Sequence, residues 1–437
     1  MAGVEAAMMI AKHGFNVRLF EMKPKKFSPA HKSPNFAEIV CSNSFGSLDE
    51  YTAPALLKDE MNQFGSVILS QAMEARVPAG RALGVDREKF SALVTSVIAN
   101  HPHIEIVREE CATIPDDGYV VIATGPMTSD ALSSQVAKLI GNETLYFYDS
   151  ISPIVDAATI DMDQVFYGSR YEMDQKDYLN CPMTKEQYDI FVSEIKNAQK
   201  VEVRDFEELK CFEGCQPIEN LVDRGLQTLA FGPMKPVGLT DPKTGKTPYA
   251  VVQLRRENMP TTMYNLVGFQ TRMKWGEQKR IFSTIPGLER VEFIRMGSMH
   301  RNTYIHSPST LKEDLALKTQ DRIFFAGQLT GVEGYVESAA MGQWVGLCIV
   351  QRLLGLDLRV PPPDTAFGAL IRVITSNPLQ SDFSPMNINF GILPPLENTP
   401  RMKKKDRRKK MVERAQSSFK AWWHERKEAI QNTKQTS

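Results

Sequence analysis

Two of the six cysteines lie in segments whose composition is typical of loops at a binding cleft. Cys41 is followed by Ser-Asn-Ser, and Cys215 stands in a Gly-Cys-Gln-Pro turn. A thiolate is a good nucleophile towards an electron-poor double bond, provided that its pKa is lowered. For either cysteine taken alone, the alternative is a small apolar side chain in the core.

The other candidate groups offer less. Cys348 lies in an apolar helical stretch, and Cys211 with Cys215 would make only half of a metal site. Because no second cysteine pair or histidine cluster completes that site, no bound metal is predicted. His31 and His300 lie in polar stretches, where a histidine is more often a surface or loop residue than a catalyst.

A glycine-rich stretch over residues 322–342 would position a ligand. Its apolar run at 323–325 predicts a buried strand, and the small and apolar residues 335–350 predict a helix. The glycines between them, Gly327, Gly331 and Gly334, break the regular structure. A strand that ends in a glycine turn and feeds a helix brings free N–H groups and a positive dipole end together, which suits a phosphate or a flavin ring. The alternative is an ordinary strand–helix turn.

The beginning of the chain predicts the second half of a dinucleotide-binding unit. A helix over 5–13 and a strand over 16–20 are followed by Glu21, at the place where an acidic residue binds the adenosine ribose. Gly3 stands where the third glycine of the pyrophosphate loop is expected. The first strand and the first two glycines are missing, either because the chain is truncated or because the loop has been lost. Ala123-Thr-Gly-Pro126 is a second strand-end loop where backbone can approach a ligand.

These elements predict an α/β fold, a Rossmann-like domain with its first strand missing and an α+β insertion. Four segments are predicted: the first half of the nucleotide-binding domain (1–145), the insertion (146–299), the second half (300–400) and a basic C-terminal helix (401–437). In that helix, Met411, Ala415, Phe419 and Trp422 share one face, which is expected to pack on the body.

Charge and composition limit the classes of partner. The formal net charge is zero, but eight of the ten residues from 401 to 410 are Lys or Arg and one is Asp. This block is either a solvated tail or a phosphate-binding patch. No apolar run approaches the roughly 20 residues of a membrane helix, and no signal segment is evident. Six unevenly spaced cysteines favour a reducing compartment, the cytoplasm or an organelle interior.

Nine motifs together resemble one family. They are Val40-Cys-Ser-Asn-Ser44, Pro78-Ala-Gly80, Val85-Asp-Arg87, Ala123-Thr-Gly-Pro126, Tyr178-Leu-Asn-Cys-Pro182, Phe212-Glu-Gly-Cys-Gln-Pro-Ile-Glu219, Phe231-Gly-Pro-Met-Lys-Pro-Val-Gly238, His300-Arg-Asn-Thr-Tyr304 and Ala326-Gly-Gln-Leu-Thr-Gly-Val-Glu-Gly-Tyr335. In this order they resemble the folate- and flavin-dependent tRNA (uracil-5)-methyltransferases, which are related to the larger GidA flavoproteins. The match covers nearly the whole chain.

The resemblance implies a reaction and a set of site residues. The one-carbon unit of methylenetetrahydrofolate would reach C5 of a T-loop uridine through reduced FAD, and NADH or NADPH would then reduce the flavin again. Cys215 matches the family's catalytic cysteine and would add to uracil C6, with Cys41 as base or adduct partner. The implied FAD contacts are Gly3, Glu21, Ala123, Thr124, Gly125, Gly327, Gln328, Gly331, Gly334 and Tyr335. The tRNA contacts predicted with them are Arg301, Lys403, Lys404, Arg407 and Arg408.

Two other functions compete with this one. The first is a GidA-like enzyme that modifies the tRNA wobble uridine, although such proteins are longer and carry an additional C-terminal helical domain. The second is an RNA-binding remnant that has lost its flavin, which the missing first strand suggests. The oligomeric state and the choice between tRNA and ribosomal RNA cannot be predicted from the sequence.

Overall fold

A computed structural model of the chain describes residues 1–141, 145–170, 176–201, 216–376, 383–397 and 402–436. The helices in this part are α1 (Ala2–Ala11), α2 (Ala53–Gln63), α3 (Val67–Glu74), α4 (Arg87–Ala99), α5 (Asp130–Ile140), α6 (Lys185–Asn197), α7 (Ile218–Arg224), α8 (Thr228–Phe231), α9 (Trp275–Phe282), α10 (Ser307–Thr310), α11 (Tyr335–Leu353), α12 (Ala366–Thr375) and α13 (Lys404–Thr436).

The strands are β1 (Val17–Phe20), β2 (Ser44–Ser47), β3 (Arg76–Val77), β4 (Ala82–Val85), β5 (Ile104–Val107), β6 (Val120–Ile122), β7 (Leu145–Ile151), β8 (Ile154–Asp156), β9 (Phe166–Tyr167), β10 (Tyr178–Met183), β11 (Ala250–Arg256), β12 (Met263–Leu266), β13 (Phe293–Arg295), β14 (Ser298–Tyr304) and β15 (Ile323–Phe325). They pair in parallel in one part of the molecule and antiparallel in the rest.

The parallel pairs are β1 with β5 and β6 with β15. They belong to the larger apolar core, which includes α1 and α11. Helix α11 is buried on nearly all sides, as a helix that is apolar around its circumference must be. The strand over 323–325 and the helix that begins at Tyr335 are confirmed. Helix α1 ends at Ala11, two residues earlier than predicted, because the chain turns and Gly14 adopts a left-handed φ of 89°.

The six-stranded antiparallel sheet has its own core, whereas the three-stranded antiparallel sheet β2-β4-β3 belongs to the larger core. Six strands in the order β13-β8-β12-β11-β10-β9 form one sheet, and helices such as α6 and α9 contribute to the apolar cluster beside it. Strands β7 and β14 pair over seven residues, from Leu145 opposite Tyr304 to Ile151 opposite Ser298. The chain therefore leaves the larger core along β7 and returns to it along β14. The mixed α/β fold class with an α+β insertion is confirmed, and we propose that the insertion occupies residues 146–299.

Helix α13 packs on the larger core through its apolar face. Met411, Ala415, Phe419 and Trp422 are buried, as predicted from their spacing. The rings of Phe419 and Trp422 contact Phe64 at centroid distances of 5.3 and 6.0 Å. This packing fixes the direction in which the basic start of the helix projects. None of the described helices combines the length and apolar composition that a membrane span requires.

Candidate functional site

A cavity of 1110 Å³ lies where strands β1 and β6 end, beside the residues around Cys41. This volume slightly exceeds the roughly 300–1,000 Å³ of ordinary ligand pockets, so a long ligand can be accommodated. We call it the central cavity. Its wall contains Cys41 and nine of the ten residues predicted to bind the cofactor, namely Gly3, Glu21, Ala123, Thr124, Gly125, Gly327, Gln328, Gly334 and Tyr335.

Two helix N-termini open on the central cavity. Gly3 lies in the first turn of α1, and Gly334 is the residue before α11. Both termini present N–H groups and the positive ends of helix dipoles, which favour a negatively charged or electron-rich group. A Cβ on Gly327 would lie 2.8 Å from Cβ of Ala2, so only glycine allows these two segments to approach so closely. The cavity therefore has the backbone surroundings expected of a dinucleotide site.

Gly331 is not part of this wall. It has a left-handed φ of 82°, and a Cβ there would lie 2.4 Å from the Phe383 ring. The structure thus gives Gly331 a role in the turn and in packing, although its position within the motif had suggested a cofactor contact.

The close crossing of α1 and α11 gives a testable prediction. A Cβ on Gly342 would lie 2.1 Å from the carbonyl oxygen of Ala2, which is backbone and cannot rotate away. Gly342→Ala should therefore separate the two helices, lower the free energy of unfolding by about 1–3 kcal/mol and weaken cofactor binding. Chemical denaturation and flavin titration would measure both effects. Gly276→Ala is the matched control, since a Cβ at that helical glycine meets nothing within 4 Å.

Cys41 is held in the cavity wall by its backbone. Its N–H donates to Oη of Tyr335 at 2.8 Å. Its carbonyl oxygen accepts from the guanidinium of Arg87, which also donates to the carbonyl of Ile39 at 2.8 Å. The structure thus connects Cys41 to the first residue of α11 and to the first residue of α4. Sequence spacing gave no signal for either contact, because the partners lie 294 and 46 residues away.

Arg87 also forms an ion pair with Glu257, a side chain that is 1% exposed. Burial opposes the charged guanidinium, but the Glu257 carboxylate more than compensates, and the pKa of Arg87 is raised. Glu257 follows strand β11 of the insertion. A single buried pair therefore joins the Cys41 segment to the antiparallel part of the protein.

A second arginine, Arg255, also connects the insertion to the segment around Cys41. Arg255 donates from Nε to Oδ1 of Asn43 at 2.8 Å and from Nη2 to Oγ of Ser42 at 2.7 Å. Asn43 in turn donates to the carbonyl oxygens of Val85 and Arg256 at 2.9 and 3.0 Å. The Ser-Asn-Ser sequence after Cys41 is therefore held in place by the hydrogen bonds of Ser42 and Asn43. Arg87 and Arg255 were not predicted to be site residues.

These arginines make the surroundings of Cys41 positive. Burial lowers the pKa of Arg295, and the charge of Arg87 lowers it further, while Cys41 and Tyr335 oppose the change. Since guanidinium groups remain protonated in proteins, three cations lie near one thiol. Such positive surroundings favour the binding of an anionic group in the cavity.

His31 also lines the central cavity. Its Nδ1 lies 2.5 Å from Oγ of Ser28. Burial, together with the charge of Lys23, lowers the pKa of His31 to about 4. The imidazole is therefore neutral at physiological pH. The sequence had favoured a loop histidine, and the structure places that loop at the cavity.

Five cysteines remain, and one of them, Cys111, is half-buried and lines the central cavity, where burial raises the pKa of its thiol. Cys181 and Cys348 are buried, and burial raises the pKa of both thiols, so neither is a nucleophile. Cys211 and Cys215 lie outside the described residues. No group of three His, Cys, Asp or Glu side chains within the described ranges could hold a metal ion.

The predicted tRNA contacts lie at two places. Lys403, Lys404 and Arg407 are exposed at the start of α13, whereas the Arg408 guanidinium lies over the Phe390 ring at 5.4 Å. Arg301 lies on β14 opposite Tyr148, and its side chain is outside the described part of the structure. The exposed cations are anchored by the packed face of α13.

The comparisons of this chain with a family model and with curated proteins point to related families of enzymes. The family model described as Glucose inhibited division protein A matches residues 1–357. The chain is 53% identical over 423 residues to the Methylenetetrahydrofolate--tRNA-(uracil-5-)-methyltransferase TrmFO of Geobacter sulfurreducens, covering 97% of this chain and 96% of that protein. It is 54% identical to the protein of the same name from Pelobacter propionicus, covering 97% and 92%.

Solved structures share the fold at much lower identity. GidA of Aquifex aeolicus in its form I crystal superposes with a TM-score of 0.65 and 16% identity, covering 96% of this chain and 74% of that chain. The form II crystal gives the same TM-score with 17% identity, covering 86% and 66%. At this identity the likeness shows the fold alone.

Proposed function

Because this chain belongs to the TrmFO family of methylenetetrahydrofolate–tRNA-(uracil-5-)-methyltransferases, we propose that it methylates C5 of a uridine in the T-loop of tRNA. The observation that carries this proposal is the position of Cys41 on the wall of the central cavity, together with the glycine turns of the predicted flavin site. A thiol beside a flavin is an arrangement that suits flavin-dependent C5 alkylation of a pyrimidine.

The residues of the central cavity fit FAD. The cavity wall contains the small residues Gly3, Ala123, Gly125 and Gly327, so a pyrophosphate and a flat ring can approach the backbone closely. Glu21 stands at the end of β1, in the position to bind the adenosine ribose. Bound FAD would carry the one-carbon unit and would supply the electrons that the methyl transfer needs. Methylenetetrahydrofolate is proposed as the one-carbon donor on the same family grounds.

We propose that Cys215 and Cys41 have different roles in the reaction of uracil. The Cys215 thiolate forms a bond to C6, which makes C5 nucleophilic towards the one-carbon unit. The C5 proton is then removed and the sulfur–C6 bond breaks, so that the thiolate is regenerated and C5 carries an exocyclic methylene. A hydride is still needed to convert this methylene to the methyl group, and reduced FAD would supply it when bound. Cys41 acts as the base for that proton or as the adduct partner, and Arg87 holds its segment in place through the carbonyl groups of Ile39 and Cys41.

NADH or NADPH is the proposed reductant of the bound FAD. The test is to mix the oxidised holoprotein with each nucleotide and to follow the loss of visible flavin absorbance. Rapid bleaching by one of them identifies the reductant, and no bleaching by either excludes both. Since the proposed substrate is tRNA, we place the reaction in the cytoplasm.

The exposed cations at the start of α13 are proposed to contact tRNA phosphates. Changing Lys403, Lys404 and Arg407 to Gln should weaken tRNA binding about tenfold at moderate salt. It should also reduce the slope of log K against log salt by up to about 3, because fewer counterions are released. Binding titrations at several salt concentrations would measure this. The control changes three exposed lysines elsewhere, Lys138, Lys196 and Lys246, to Gln and should leave the slope unaltered.

Mass spectrometry of tRNA from a deletion strain tests the function. Loss of 5-methyluridine from the T-loop supports the proposal, whereas loss of a modified wobble uridine would support the GidA-like alternative. The third reading, an RNA-binding remnant without flavin, would be contradicted by a purified chain that shows the visible absorbance of bound FAD.

A further inference from the structure

Asn302 is a buried polar residue of the central cavity that the proposed reaction does not yet use. It lies on β14, forms part of the cavity wall and is 1% exposed. Its Oδ1 accepts no hydrogen bond from any described residue. A buried carbonyl oxygen without a donor is destabilising, and such oxygens in native proteins usually have an explanation.

The backbone on the C-terminal side of Asn302 is fixed by both segments that form the glycine-rich part of the cavity. The N–H of Thr303 donates to the carbonyl of Pro126 at 3.0 Å, and the N–H of Ile305 donates to the carbonyl of Leu329 at 2.9 Å. Asn302 itself stands opposite Phe147 on β7. Strand β14 is therefore held on several sides and cannot shift to find a donor for the Asn302 amide. The donor must therefore come from within the cavity, from a solvent molecule or from a ligand that replaces it.

Elementary chemistry limits which ligand groups can donate a hydrogen bond to Oδ1 of Asn302. Phosphate groups only accept hydrogen bonds, so the pyrophosphate of a dinucleotide does not satisfy Oδ1. The pyrimidine edge of a flavin carries an N–H between two carbonyl oxygens. A carboxamide complements such an edge, since its oxygen accepts from the N–H and its NH₂ donates to the neighbouring oxygen, as Asn and Gln do towards nucleobases.

We infer that the side-chain amide of Asn302 hydrogen-bonds the polar edge of the flavin ring and fixes the orientation of the ring in the central cavity. This inference rests on the proposed function, because it takes FAD as the ligand. The position of Asn302 agrees with it. The residue lies beside the Pro126 and Leu329 segments, whereas Glu21, the proposed ribose ligand, stands at the end of β1.

The test compares wild type with Asn302→Leu, which keeps most of the volume and removes the amide. Without cofactor, the variant should be at least as stable as wild type in chemical denaturation, because it removes an unsatisfied oxygen. Its dissociation constant for FAD should rise about tenfold, which corresponds to one lost hydrogen bond to a ligand. The visible absorption bands of the bound flavin should shift relative to wild type.

Asn302→Ala serves as a second variant, since it removes the amide without adding any atom to the wall. It should show the same weakened affinity and the same spectral shift. If both variants bind FAD as tightly as wild type with an unchanged spectrum, the inference is wrong while the proposed function stands. A large loss of stability in both cofactor-free variants would instead assign Asn302 a structural role. If the wild-type chain binds no FAD, the inference and the proposed function fail together.

Discussion

Replacement of Cys215 by alanine is expected to reduce tRNA methylation by at least about a thousand-fold and to leave FAD bound. Removal of the nucleophile from a covalent mechanism abolishes the step that activates the substrate, and losses of this size or larger are typical. Uracil C5 is not nucleophilic enough to take up a one-carbon unit until a nucleophile has added at C6. The measurement is the amount of 5-methyluridine formed in a T-loop transcript, with the flavin spectrum recorded in parallel.

Cys181→Ala is the matched control for this experiment. It removes the same thiol from a position in the core of the insertion, where burial keeps the group protonated and unreactive. Methylation should persist, with only a modest loss of stability. Full methylation by the Cys215 variant would show that another group attacks C6, and Cys41→Ala would then be the next variant to examine.

Arg87→Met should lower the free energy of unfolding by about 3–5 kcal/mol and strongly reduce methylation. The change leaves the Glu257 carboxylate buried without its cation, and breaking a buried pair in this way is far more costly than never having formed it. The carbonyl groups of Ile39 and Cys41 also lose their donor. Chemical denaturation and the T-loop methylation assay would separate the two effects.

The double variant Arg87→Met with Glu257→Met separates the effect of an unpaired buried charge from the role of Arg87 in positioning the Cys41 segment. Replacing both partners by apolar side chains should recover most of the lost stability, since no buried charge remains unpaired. Methylation should stay low, because the Cys41 segment still lacks the guanidinium that holds its two carbonyl groups. Recovery of methylation together with stability would show that Arg87 supports only the fold and does not position Cys41.

Much of the local structure could be predicted from the sequence, because it depends on neighbouring residues. The apolar run at 323–325 became a buried strand, the glycines after it formed turns, and the small residues from Tyr335 onward formed a buried helix. The spacing of Met411, Ala415, Phe419 and Trp422 likewise predicted the packed face of α13. In these cases the period of the apolar residues matches the period of the element.

What could not be predicted depends on pairs that are distant in sequence. Nothing around Cys41 indicates that its N–H meets Tyr335, or that Arg255 reaches Asn43 across 212 residues. Gly331 is a further example, since its motif suggested a cofactor contact but gave no sign that the residue packs against the ring of Phe383. Asn302 stands in the His300–Tyr304 motif, but nothing in that motif singled out its amide, which becomes informative only when the structure leaves its oxygen without a donor.

The most direct test of the account is a one-carbon transfer measured on a defined nucleotide. The purified chain, supplied with FAD, NADH or NADPH and methylenetetrahydrofolate labelled with ¹³C in its methylene group, is incubated with an unmodified tRNA transcript. Labelled 5-methyluridine is expected at one T-loop position in the presence of folate and flavin, and none when either is omitted. A holoprotein with bound FAD that leaves the T-loop unlabelled, or labels the wobble uridine instead, would contradict it.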